Sequence, residues 1–170
     1  MTKLRSKIFG VMGVVALVGA VAGTGLTAAS ASQVGASARS GFEHFQIMTT
    51  SETTSKQSII ATGLFTAGGV DHAGARVDTA VFPHGTFKIA HSPGVGTPRF
   101  NPKTCLGVIA LNGTYRLSGG TGAYAGISGH GIYRVNLTMV AARNAAGKCS
   151  DRLPPAAFQV IIRAQGPVSL

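Results

Sequence analysis

Asp78, His91 and Glu43 are the side chains of this sequence best placed to handle a proton. Ala80 and Phe82 follow Asp78 at two-residue spacing, and Phe87 and Ile89 precede His91 in the same way, so on extended backbone each polar group shares a face with apolar neighbours. A carboxyl or imidazole held against such a face is pushed toward its neutral form, which suits an acid or base working near neutral pH. Glu43 and His44 fall on the first strand expected below, and Arg134 and Arg163 on the last two. Phe87, Tyr133 and Arg134 are the candidate ligand contacts. Each polar member of the set also has a plainer reading as a solvated strand residue, and the two arginines most of all.

Other chemistries start at a disadvantage. The 170 residues hold only five carboxylates against 15 Lys and Arg, too few acids for a multi-carboxylate calcium site. His72, His84 and His130 stand beside glycines in expected turns and lack metal-ligand spacing, so no metal and no cofactor are expected. Cys105 and Cys149 are the only cysteines and contain no CxxC pair. They are expected to form a disulfide closing about 45 residues, worth roughly 4 kcal/mol on the chain-entropy model. The run Gly126-Ile-Ser-Gly-His-Gly131 is not a nucleophile elbow, because His130 stands where a flanking glycine is needed and no helix follows.

The elements that must position these groups are strands. No sustained helical period occurs after residue 41, whereas short alternating or β-branched runs recur between Gly, Pro, Asn and Ser. Strands are expected at 42–50, 57–66, 76–82, 86–91, 104–111, 114–118, 129–143 and 157–165. Gly68-Gly69 and the stretch 92–103, with its three prolines, read as loops, and Asn112-Gly113 reads as a tight hairpin turn. Tyr133, Val135, Leu137, Met139 and Ala141 alternate with Arg134, Asn136 and Thr138, so one face of that strand must be buried. About eight antiparallel strands with one wet face suit an all-β closed barrel, and a β-sandwich is the alternative.

The amino terminus has the three-part layout of a secretory signal peptide. Lys3, Arg5 and Lys7 precede an uncharged run from Ile8 to Gly23, and Ala29-Ser30-Ala31 offers a small-x-small cleavage site, with Ala36-Ser37-Ala38 as a second match. The expected organisation is a signal peptide at 1–31, a linker at 32–40 and a single barrel domain at 41–170. Cleavage after Ala31 leaves 12 basic residues, the 15 less those three, against 5 acidic ones, or +7. These cations sit singly, with no basic run or aromatic ladder, so nucleic acid is not an expected partner; nor is a membrane once the leader is removed.

The segment Gly113-Thr-Tyr-Arg-Leu-Ser-Gly-Gly-Thr-Gly-Ala-Tyr-Ala-Gly-Ile-Ser-Gly-His-Gly-Ile-Tyr133 resembles the allene oxide cyclase and dirigent-like barrel superfamily. Ala61-Thr-Gly-Leu-Phe-Thr-Ala-Gly-Gly69, Asp78-Thr-Ala-Val-Phe-Pro-His-Gly-Thr-Phe87 and Asn101-Pro-Lys-Thr-Cys105 look like its secreted bacterial branch. The resemblance implies an eight-stranded, calycin-like antiparallel barrel whose lumen holds a small apolar molecule, sometimes with cyclisation or stereochemically guided coupling as the outcome. It also implies a homo-oligomer, dimer or trimer. The glycine-rich turn itself needs no catalytic explanation, since its glycines admit backbone angles that a Cβ penalises and Tyr124 can plug a barrel end.

Three functions follow as expectations: a secreted barrel that binds a small apolar molecule, a cyclase or coupling guide, and a filled barrel with an interaction role at the cell envelope. A dry cavity of roughly 300 Å³ or more would favour the first two, and a lumen packed by Phe and Tyr side chains would sink both.

Overall fold

The computed structural model describes residues 38–170, so the leader at 1–31 and the linker up to residue 37 lie outside the described residues. Nine strands follow in order: β1 (Ser40–Thr49), β2 (Lys56–Gly63), β3 (Ala67–His72), β4 (Val77–Phe82), β5 (Gly85–His91), β6 (Val95–Asn101), β7 (Leu106–Ser118), β8 (Ser128–Val140) and β9 (Ala157–Ser169). Among the described residues the one helical element is a single 3-10 turn, Gly122–Tyr124.

All pairings between strands are antiparallel, in the order β5-β4-β3-β2-β1-β9-β8-β7-β6. A further pairing of β5 with β7, from Lys88 opposite Ser118 to His91 opposite Tyr115, closes the sheet on itself. Eight strands therefore form a closed barrel, and β6 is an extra strand bonded to the first half of β7. Closure settles the choice between barrel and sandwich, and it leaves β6 outside the barrel as an exposed edge strand.

Alternation does the sorting of side chains. On β8, Tyr133 is buried and Val135, Leu137 and Met139 half-buried, while Arg134, Asn136 and Thr138 are exposed. Phe45 and Ile47 of β1, Ala80 and Phe82 of β4, Phe87 and Ile89 of β5, and Tyr115 and Leu117 of β7 fill the interior in the same manner. Tyr124, carried by the 3-10 turn, is buried against them. That turn needs glycine at position 122, where the backbone has φ +58 and a Cβ would run into the His84 carbonyl.

Four local expectations are corrected. Gly68-Gly69 is not a loop but lies within β3. The proline-rich stretch 92–103 contains β6, which accepts Pro98 because it is an edge strand, exposed along its whole length. Asn112-Gly113 is not a hairpin turn, since β7 runs straight through it. Gly113 faces Tyr133 across the β7–β8 ladder, and the tyrosine ring lies where a Cβ of residue 113 would stand, so this glycine makes room for a side chain. The strand expected at 129–143 ends at Val140, and the chain continues into a loop held by the Arg143–Cys149 bridge. Cys105 and Cys149 are disulfide-bonded, with Cα atoms 5.4 Å apart, tying this loop to the start of β7.

Candidate functional site

The lumen has two unlike halves. In one, Phe45, Phe65, Phe82, Phe87 and Tyr124 interlock with ring centroids 5.0 to 6.4 Å apart, leaving little space between them. In the other, the side chains leave space between them, and a cavity of about 140 Å³ opens between Phe45, Ile89, Tyr115, Tyr133 and Ile162, with Asp78 and His91 in its wall. The cavity falls short of the roughly 300 Å³ expected of a ligand-holding lumen, and Phe and Tyr rings fill the rest of the interior.

Asp78 and His91 are brought together by neighbouring strands. Asp78 of β4 stands opposite Ile89 of β5, and His91 follows two residues later on the same face. His91 Nε2 lies 3.4 Å from Asp78 Oδ1, which also accepts the Gly74 N–H at 2.8 Å. The second ring nitrogen, Nδ1, is 3.4 Å from the Ser92 carbonyl oxygen. That carbonyl accepts a hydrogen bond from the Tyr133 hydroxyl at 2.8 Å, and the Tyr133 ring meets the imidazole edge-on at 6.2 Å between centroids. The imidazole is thus oriented by an acceptor on either side, an arrangement able to hold or pass a proton at the cavity wall.

A second acid lies near this pair. Asp71 of β3 is 1% exposed, and neither of its carboxyl oxygens has a hydrogen-bond partner. Burial pushes its pKa up to about 7; the nearby Asp78 carboxylate adds to the rise, and His91 opposes it. Gln57, directly across from it on β2, likewise has a buried, unpartnered Oε1. Glu43 of β1 is fully buried, and burial raises its pKa against the backbone N–H groups of Phe65 and His44, which it accepts at 3.0 and 3.3 Å. Glu43 does not line the cavity; it ties the chain leaving β2 to β1. Its charge, after burial, helps push the Tyr115 hydroxyl up to about 12, and that hydroxyl is buried without a partner.

Of the side chains singled out from sequence, Asp78, His91 and Tyr133 converge on the cavity. Phe87 packs among the rings of the filled half and does not line the cavity. Arg134 is on the outer surface with Arg163, its partner across the β8–β9 ladder, because both occupy the outward phase of their strands. His44, His72, His84 and His130 are exposed, and no cluster of metal-ligating side chains occurs among the described residues. Asp71 was missed because Gly68-Gly69 disguised its strand; the spacing Ala67, Gly69, Asp71 was the available signal that it faces inward. No family model, no curated protein and no solved structure matches the chain.

Proposed function

We propose that this protein is a secreted β-barrel that holds a small, largely apolar molecule in its lumen. The observation that carries the reading is the division of the interior: one half is packed by rings, and the other keeps an apolar cavity of about 140 Å³ with one polar pair in its wall. An apolar cavity of roughly 150 Å³ is enough to stay dry and take up a benzene-sized molecule. The cavity is smaller than the roughly 300 Å³ at which drug-sized ligand sites begin, so the buried part of the ligand is about one ring or a short branched chain. Secretion is supported by the leader pattern and by the Cys105–Cys149 disulfide, which an oxidising compartment maintains.

Ala164 offers a direct test. It is 9% exposed, lines the cavity and stands between Phe45 of β1 and Tyr133 of β8. Ala164→Leu places three more carbons in the cavity, and toluene binding followed by ligand-observed NMR is expected to weaken at least tenfold. Native mass spectrometry of protein purified from culture medium, followed by solvent extraction, is expected to show a bound small molecule. Toluene affinity unchanged in a folded Ala164→Leu protein, or absent in the unmodified one, would sink the reading.

A second reading, a cyclase or coupling guide as the resemblance implies, is favoured by the Asp78–His91 pair and the Asp71 carboxyl near it, which set proton-handling groups against an apolar cavity. Returning the extracted molecule to the protein separates the two. A change in its NMR spectrum at constant mass would mean isomerisation, and an unchanged spectrum would mean binding alone.

A further inference from the structure

We infer that the molecule held in the lumen is a small organic cation, an aliphatic or benzylic amine whose hydrocarbon part fills the cavity and whose ammonium group stands at Asp78. This inference rests on the lumen-binding reading above and narrows its ligand class. It follows from how the fold sorts charge. All twelve Lys and Arg side chains after the leader are exposed, while three of the chain's five acids, Glu43, Asp71 and Asp78, are buried. The interior of a strongly basic protein is therefore its acidic part, and the barrel encloses no lysine or arginine to balance it.

The cavity sits where that imbalance is greatest. Asp78 is the one carboxyl in its wall, and among the described residues only Oδ1 of that carboxyl is engaged, by Gly74 and His91. Oδ2 takes no hydrogen bond from the described residues. Asp71, whose charge is disfavoured by burial and by the nearby Asp78 carboxylate, has both oxygens unpartnered. No lysine or arginine pairs with either carboxyl, and an ammonium hydrogen-bonded to Asp78, the one in the wall, supplies a counter-charge. Phe45, Tyr115 and Tyr133 contribute aromatic walls, and ring faces attract cations where water is excluded. Tyr115 brings in addition a buried hydroxyl without a partner. A carboxylate ligand would meet repulsion at the same place, and a neutral one would leave the carboxyls uncompensated.

Three ring-sized probes of matched shape decide the matter: benzylamine, benzyl alcohol and benzoate, titrated at pH 8 with toluene as the charge-free reference. Benzylamine is expected to bind at least tenfold tighter than benzyl alcohol, and benzoate weaker than either. Asp78→Asn is expected to bring the ratio of benzylamine to benzyl alcohol affinity close to one. A measurement on the unmodified protein guards against a variant that does not fold. The polar groups in the cavity wall are Asp78 from β4, His91 from β5, Tyr115 from β7 and Tyr133 from β8, β1 and β9 present only apolar groups there, and Asp71 of β3 lies outside the wall but near enough for its charge to interact with Asp78 and His91. Asp71, pushed up to about 7 chiefly by burial, loses its negative charge beside the site as the pH falls, so the benzylamine preference is expected to fall severalfold between pH 8 and pH 5. Equal affinities for amine and alcohol, a preference for benzoate, or an amine preference that survives in folded Asp78→Asn would overturn the inference while leaving the lumen reading intact. Failure of toluene and all three probes to bind would remove both.

Discussion

Replacing Phe87 by alanine is expected to lower the free energy of unfolding by about 3–5 kcal/mol, the usual range for deleting a fully buried aromatic side chain. Phe87 is 0% exposed and touches rings from several elements: Phe82 stacked at 5.5 Å, Tyr124 edge-on at 5.5 Å, Phe45 at 5.9 Å and Phe65 at 6.4 Å. Part of the loss is the apolar surface no longer withdrawn from water, and part is the void left behind. The void term should be large here because the surrounding rings are held by β1, β4, the β2–β3 connection and the 3-10 turn, which a closed barrel does not allow to move together. Denaturant unfolding at neutral pH reads the effect as a lower midpoint at unchanged slope. A loss under about 1.5 kcal/mol would show that the rings repack and that the filled half is less rigid than its geometry implies.

Asp71→Asn is expected to act in the opposite direction above neutrality. An aspartate whose folded pKa is about 7, against 3.8 for a free aspartate, binds its proton more tightly folded than unfolded. Its contribution is therefore favourable at acid pH and is lost as pH rises. Between about pH 4 and pH 7 the unfolded chain has released this proton while the folded one retains it, so stability falls by up to about 1.4 kcal/mol per pH unit and then levels off. Asparagine keeps the shape, abolishes the ionisation and presents an N–H donor across from the unpartnered Oε1 of Gln57. The variant is expected to match the unmodified protein near pH 4 and to exceed it by about 2–4 kcal/mol at pH 8. Glu43, also raised by burial, adds a slope of the same sign to both proteins, so the difference between their curves is the quantity to measure. Parallel stability curves from pH 4 to pH 8 would show that ionised Asp71 is not costly in the fold.

Much of the architecture was legible because alternation is a local property. A run such as Tyr133, Arg134, Val135, Asn136, Leu137 declares which side chains face inward whatever lies beside it, and Asp78 and His91 were visible as inward-facing polar groups for the same reason. Glycine and proline misled where their usual meaning was overridden. Asn112-Gly113 carries the pattern of a hairpin turn, yet Gly113 is needed to seat the Tyr133 ring, 20 positions away in the chain. Gly68-Gly69 concealed β3 and with it Asp71, while Pro98 concealed β6, whose place at a sheet edge makes a missing N–H harmless.

Residue order alone carries the strand-rich class, the alternation of faces, the cysteine pair and the excess of cations over very few acids. The pairing of β5 with β7 that closes the barrel, the nearness of Asp71 to the Asp78–His91 pair, and the division of the lumen into a ring-filled half and an open one emerge from the folded chain. The physical reason is that face assignment depends on residues two apart, whereas closure, register and cavity shape depend on strands far apart in the chain being fitted together at once.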